Sequence, residues 1–381
     1  MFPILYCKGK NDKIKEWQIL VKELPNKTAE IKVLNGFDDG KKNEHITIIE
    51  KGKNIGKKNE TTPFQQAINQ AEKKYNDKKN KEGFSENKNK LKVHISPMLS
   101  ETYKFDSKVS RKKDIIFPCY IQPKIDGWRL LANYSNEEDR VILLTRRGVE
   151  YNGFDHLRSV LYTFLKNRGS SFYLDGELYT NSLPFEIFSG ICNKQKCTEN
   201  ENLLKNKFQY WLFDCFDLNN PNWKFMERLE ETRKITHNLI VNVETIECEN
   251  KLLAKKYHDK YFSQGFEGLM LRNKNSLYQL NSRSRDLQKY KCFNEEEFPI
   301  IGFKEGVGDE KGCIIWECSY IGGTFSVRPI GTREYRTKLY KDALHDFTKF
   351  EGKPLTVKYQ NKMIDGCPRF VVGKSIRYEL I

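Results

Sequence analysis

The chain has 381 residues, 38% of them hydrophobic and 24 of them Phe, which excludes a disordered or fibrous protein and suits two or three domains. Lys+Arg 66 against Asp+Glu 51 leaves a net charge of +15. A surplus of that size fits a polyanionic partner such as nucleic acid, although a merely soluble basic protein would share it.

The opening Met-Phe-Pro-Ile-Leu-Tyr-Cys reaches Lys8 before a long apolar run develops, so no secretory leader is expected. Residues 1–92 hold 21 Lys, no Arg and 13 acidic residues, a local surplus of +8. Strands are predicted around Glu16–Lys22 and His45–Glu50. A helix follows, with Thr61 or Thr62 as cap, Pro63 in its first turn, and Phe64, Ala67, Ile68, Ala71 and Tyr75 on one apolar face. Gly83 is the expected stop, and the polar stretch Ser85–Lys92 reads as a linker.

From Val93 to about Phe293 short strands alternate with helices. Strands are predicted at Cys119–Gln122, Val141–Thr145, Phe172–Leu174, Tyr210–Phe213 and Gly268–Leu271, with a helix at Leu157–Lys166. From Phe298 onward short strands and Gly turns surround one helix near Arg333–Phe347, a pattern that suits a small barrel of the OB type. No apolar run of membrane-spanning length occurs, so no membrane partner is expected. Ten cysteines show no C-x-x-C, and the close pairs Cys192/Cys197 and Cys313/Cys318 lack a second pair, so free thiols of a reducing, intracellular compartment are expected.

The chemistry concentrates at predicted strand ends. Lys124-Ile-Asp126-Gly127-Trp-Arg129 follows the strand Cys-Tyr-Ile-Gln122. A lysine amine attacks only when neutral, and Gly127 allows a close backbone approach to a ligand. Alone, the string is equally a surface turn. It is followed by Arg146 in Leu-Leu-Thr-Arg-Arg-Gly, Asp175-Gly-Glu177, Phe213-Asp214, Glu267-Gly268 and Lys289-Tyr-Lys291, each at a strand end where α/β sites assemble.

In this order the segments resemble the motifs of the covalent nucleotidyltransferases, which include DNA ligases, RNA ligases and mRNA capping enzymes. Within that group the chain is similar to the small ATP-dependent DNA ligases of chlorella viruses and other large DNA viruses. Phe-Pro-Cys119, Ser-Gln-Gly-Phe-Glu267-Gly-Leu-Met-Leu-Arg and Cys-Pro-Arg369-Phe carry the likeness, which runs from about Ser96 to Arg377. The resemblance implies that Lys124 attacks the α-phosphate of ATP and carries AMP, which passes to the 5′-phosphate of a nick in double-stranded DNA before the 3′-OH displaces it. It implies that Gln122, Arg129, Arg146, Glu177, Phe213, Lys289 and Lys291 meet ATP or AMP, with Phe213 stacked on adenine. Arg129 or Arg146 would also suit the nick 5′-phosphate. Mg2+ (or Mn2+) is implied, with Glu177 and Glu267 as its carboxylates. Asp126, Asp175, Arg369 and Arg377 complete the motifs, and a monomer is expected. The last motif departs from the family: Arg369-Phe-Val-Val-Gly-Lys-Ser-Ile-Arg377 lacks the usual Pro, which leaves open which basic residue meets pyrophosphate. Phe303 to Phe325 also lacks the long basic loop of the chlorella virus type.

The first residues resemble a WGR domain, through Trp17-Gln-Ile-Leu and the strand before Gly52-Lys-Asn-Ile-Gly-Lys-Lys, although Trp-Gly-Arg itself is absent. The expected fold is α+β. A WGR-like DNA-binding domain would occupy 1–86 and a linker 87–96. An ATP-grasp-like nucleotidyltransferase domain would span 97–293 and an OB-fold barrel 294–381. The resemblance suggests a viral replication site or the nucleus as the location. A GTP-dependent capping enzyme, an RNA ligase, an NAD-dependent ligase and a non-catalytic DNA-binding protein remain as rivals, and intact Lys124, Glu267, Lys289 and Lys291 weigh against the last.

Overall fold

The computed structural model describes residues 2–8, 13–89, 91, 95–105, 115–183, 185–194, 197–291 and 293–378. Part of the expected linker, 90 and 92–94, therefore lies outside the described residues.

The N-terminal module is an antiparallel meander of β1 (Leu5–Lys8), β2 (Ile14–Glu23), β3 (Ala29–Phe37) and β4 (Asn43–Ile49), followed by α1 (Pro63–Lys81). Thr62 caps the helix by accepting from Gln65 N at 3.1 Å, and Gly83 ends the segment at φ 71°. Alternation decides the packing. Trp17 and Ile19 of β2 and Ala29 and Ile31 of β3 face Ala67, Ala71 and Tyr75 of α1. Trp17 is thus a core residue, 6% exposed. The sequence predicted two strands where four form.

The middle of the chain builds two five-stranded sheets. The first holds β7 (Trp128–Ser135), β8 (Arg140–Leu144), β9 (Phe172–Tyr179), β10 (Gln209–Asp217) and β11 (Ile240–Asn242), in the order β11-β10-β9-β7-β8. The second holds β5 (Leu99–Thr102), β6 (Cys119–Lys124), β12 (Ile246–Cys248), β13 (Gly268–Arg272) and β14 (Arg283–Lys291), in the order β12-β6-β13-β14-β5. Among the described residues, α2 (Asp155–Arg168), α3 (Phe185–Asn193), α4 (Glu199–Lys205) and α5 (Phe225–Arg233) link strands within the first sheet, and α6 (Lys251–Ser263) links β12 to β13 in the second. Leu157, Leu161 and Leu165 of α2 pack on Leu130, Ala132 and Leu174 in the core of the first sheet. Ala254 and Tyr261 of α6 pack on Cys119, Ile121, Leu269 and Leu271 of the second.

The C-terminal module contains β15 (Asn294–Glu305), β16 (Ile314–Tyr320), β17 (Gly323–Val327), α7 (Arg333–His345), β18 (Pro354–Tyr359) and β19 (Val372–Ile376), ordered β17-β16-β15-β18-β19. β15 pairs with β18 through its first half and with β16 through its second, with an irregularity between Ile300 and Gly302. The expected barrel does not close among the described residues. The edges touch only at the bridge Pro329–Gly373, where Gly373 N donates to Arg328 O at 3.0 Å and Ile330 N to Gly373 O at 2.8 Å. The chain leaves β17 at Val327, and Pro329 has no N–H to extend the ladder. The turn between β16 and β17 is two residues long, so no long loop extends there.

Candidate active site

Strand register assembles the site. Lys124 at the end of β6 lies opposite Gly268 of β13, and Gly268 lies opposite Lys291 of β14. One step along, Gln122, Met270 and Lys289 form a parallel row on the same face. Gly268 has φ 150°, and a Cβ there would stand 2.2 Å from Tyr290 O, so the row closes only over glycine. On the other sheet Arg129 of β7 lies opposite Glu177 of β9. The two faces enclose a cavity of about 1240 Å3 lined by Gln122, Lys124, Asp126, Arg129, Arg146, Glu177, Phe213, Glu267, Lys289 and Lys291, among others.

Glu267 is the hub. It is 9% exposed and its carboxylate pairs with both Lys124 and Lys291. Burial opposes its charge, but the two ammonium groups hold its carboxyl below the usual range. Lys289 Nζ has no carboxylate or hydrogen-bond partner among the described residues, and burial together with Lys291, Lys124 and Arg283 lowers its pKa. Glu177 is the opposite case. No ion pair or hydrogen bond meets its carboxylate among the described residues, and burial pushes it up to about 7 despite Lys124 and Arg129 nearby. Burial also raises Asp126, helped by Glu267 and opposed by Arg369, whose Nη1 lies 3.2 Å from Asp126 Oδ2.

Arg129 is less available than expected. Its Nε and Nη2 each contact Asp175 at 2.5 Å, Nη2 also donates to Met98 O at 3.2 Å, and its guanidinium lies 4.8 Å from the Phe213 ring centroid. Asp175, 1% exposed, serves as this anchor and also accepts from Tyr278 at 2.5 Å. Arg146, on the turn after β8, has no such partner among the described residues; burial and then Arg129, Arg283 and Arg147 lower its pKa.

Phe213 lies within β10 rather than at a strand end. The pairing with β9 skips it, between Leu212 and Asp214, and its carbonyl is turned to accept from Gln122 Nε2 at 3.2 Å. Gln122, which lines the cavity, also donates from Nε2 to Thr245 Oγ1 at 2.9 Å, so both amide hydrogens are used. Gly127 lines the cavity, and a Cβ there would stand 2.5 Å from Leu178 O and 2.6 Å from Glu177 Cγ, so its lack of a side chain also admits Glu177.

Arg377 is not brought to the site. It is exposed and pairs with Glu297 at 3.0 Å. The site does gain two C-terminal residues that the sequence did not single out, Gln360 and Phe370. Gln360 Nε2 donates to Glu267 Oε1 at 2.7 Å, and Lys291 lies 5.9 Å from the Phe370 ring. A lone Gln after a strand gives no sequence signal; Phe370 could have been found beside Arg369. No group of three or more His, Cys, Asp or Glu side chains is placed to hold a metal among the described residues. Among the cavity's carboxylates, Glu177, without a partner among the described residues, and Glu267 instead fit a cation shared with substrate phosphates, the usual mode for Mg2+. No helix is long and apolar enough to cross a membrane among the described residues.

Comparison with known proteins points to one family. The family model described as the ATP dependent DNA ligase domain matches residues 97–291. The DNA ligase of African swine fever virus is 29% identical over 337 residues, spanning 82% of this chain and 75% of that protein. The DNA ligase of Enterobacteria phage T4 is 29% identical over 232 residues, spanning 50% of this chain and 47% of that one. A solved structure from a structure–function study of Lig E DNA ligases shares the fold with a TM-score of 0.57 at 20% identity, over 74% of this chain and 99% of that chain.

Proposed function

We propose residue roles from one premise: the chain belongs to the ATP-dependent DNA ligase family. It is an enzyme that uses ATP to join DNA, through a ligase-AMP intermediate, and its substrate is a nick with a 5′-phosphate and a 3′-OH. Lys124 is the nucleophile. The observation that carries this is its amine held on Glu267, inside a cavity of nucleotide size, with Lys289 and Lys291 on β14, across β13.

Adenine stacks on the face of Phe213 that Arg129 leaves open. Gln122 Oε1 accepts from the exocyclic amine, which favours ATP over GTP because guanine offers an oxygen there. Lys289 and Lys291 neutralise the charge that builds on the α-phosphate as the Lys124 nitrogen bonds to phosphorus and pyrophosphate leaves. Arg369, which reaches Asp126 two residues beyond Lys124, is the candidate for pyrophosphate. Arg146, which lacks a carboxylate, takes the nick 5′-phosphate. Glu177 and Glu267 would hold Mg2+ or Mn2+, which supplies Lewis-acid stabilisation of phosphate oxygens when bound. The C-terminal module is a partly open OB-type fold. The N-terminal module, with its surplus of +8 over residues 1–92, clamps DNA in place of the missing loop.

The test is to incubate the protein with labelled ATP, GTP or NAD in Mg2+ and then add nicked duplex. Label from ATP alone, passing from the protein to the DNA 5′ end and leaving as free AMP when the nick is sealed, is expected; label from GTP or NAD instead would refute the reading.

A further inference from the structure

Beyond the residues so far given roles in the reaction, one buried side chain reaches the centre of the site from another part of the fold. Gln360 follows β18 and is 4% exposed. Its backbone is pinned on both sides, with N donating to Arg369 O at 3.1 Å and O accepting from Asn294 Nδ2 at 3.1 Å. Its carboxamide does two things at once. Nε2 donates to Glu267 Oε1 at 2.7 Å, and Oε1 accepts from Lys291 Nζ at 3.2 Å. An amide of this reach serves a carboxylate and an ammonium group together; a carboxylate in its place would oppose Glu267, and a hydrocarbon would leave both unmet.

Glu267 carries Lys124 on its other oxygen. Fixing Oε1 with Gln360 and Lys291 therefore fixes the plane of the carboxylate, and with it the amine that must approach the α-phosphorus in line. Arg369 of the same segment reaches Asp126, and Lys291 lies 5.9 Å from the Phe370 ring. The cavity of about 1240 Å3 has nucleotide rather than duplex size, so the grip of Gln360 on Glu267 belongs to the state that meets ATP.

We propose that Gln360 is a positioning residue for the transfer of AMP to Lys124, acting through Glu267 and Lys291, and that it takes no part in the later steps on DNA. The proposal rests on the ligase reading above. In the step concerned the Lys124 nitrogen–phosphorus bond forms, the α-phosphorus–oxygen bond breaks with its electron pair leaving on pyrophosphate, and the amine proton passes to solvent water.

The experiment compares wild type, Gln360→Met and Gln360→Glu in full-length protein. Three quantities are read: single-turnover transfer from labelled ATP in Mg2+ across ATP concentrations, sealing of a nick that already carries AMP, and the thermal unfolding midpoint. Gln360→Met keeps the length and removes both hydrogen bonds. It should slow transfer at saturating ATP by on the order of tenfold, with KM for ATP and the sealing of the adenylylated nick within about twofold of wild type. Gln360→Glu should be slower still in transfer and equally spared in sealing. Transfer at the wild-type rate in Gln360→Met would overturn the proposal, and so would equal slowing of both steps, which marks a structural role. Absence of Lys124-AMP in the wild type would instead refute the underlying ligase reading.

Discussion

Asp214 and Glu267 are both buried carboxylates gripped by two basic side chains, yet only one of them faces a cavity. Asp214 is 0% exposed and is held by Arg228, with Nε at 2.8 Å, and by Arg272. Arg228 spends its remaining reach on Trp223 O at 2.7 Å and Ser276 O at 2.9 Å. This knot ties β10, α5 and β13 together. Around Glu267 the charges are left incomplete: Lys289 and Glu177 lack partners among the described residues, and the adjoining Arg146 lies among other arginines. Burial alone therefore does not mark function. Charges that the protein leaves unmet are those a ligand can meet, whereas a closed knot stabilises the sheet that carries them.

Four outcomes sharpen or break that contrast. Glu267→Ala should retain its fold yet seal an already adenylylated nick about 100-fold or more slowly, read by single-turnover kinetics. Wild-type sealing would remove Glu267 from the chemistry. Asp214→Ala should do the reverse, losing roughly 3–5 kcal/mol in urea unfolding because two buried guanidinium groups lose their carboxylate. A stable, catalytically dead Asp214→Ala protein would erase the distinction. Deleting residues 1–92 removes a surplus of +8 that is spread over solvent, although Lys32, Lys42, Lys78, Lys79 and Lys88 pair with carboxylates. It should leave the labelling of Lys124 nearly unchanged, weaken nick binding about tenfold and flatten its salt dependence. Unaltered affinity and salt slope would point to a protein tether instead.

The smallest effect concerns Glu177. Its carboxyl is raised from an ordinary 4.5 to about 7, so the folded state binds an extra proton between those values. Stability then falls as pH rises through that window, because the unfolded chain holds fewer protons. Glu177→Gln should raise the unfolding midpoint of the ligand-free protein near pH 8 by on the order of 2 °C, discounted for its partial exposure, and by nothing near pH 4. Loss of stability near pH 8 would show that the charge is already compensated.

Much of the site was legible because its parts are local strings. Lys124 at the end of an apolar strand, the Glu267-Gly268 pair and Lys289-Tyr-Lys291 each announce themselves within a few residues. What joins them was not legible, because register across strands is a long-range property. Nothing local says that Gly268 stands between Lys124 and Lys291, that Phe213 is skipped in pairing, or that Gly127 yields space to Glu177. Arg377 looked equivalent to Arg369 by motif position, but Glu297 holds it elsewhere. Strand β3 was missed although Ile31 and Val33 alternate with charged residues, since Lys and Glu crowd both sides of the pattern. The barrel was overread because strand-rich composition does not specify whether the last edge closes.

The most direct test of the central claim is to locate the AMP. After incubation with ATP and Mg2+, the protein should gain the mass of one AMP, and fragmentation should place it on Lys124 through an acid-labile bond. Lys124→Ala should gain none while still sealing a nick that already carries AMP. An adduct on any other residue, or one that persists in Lys124→Ala, would contradict the account.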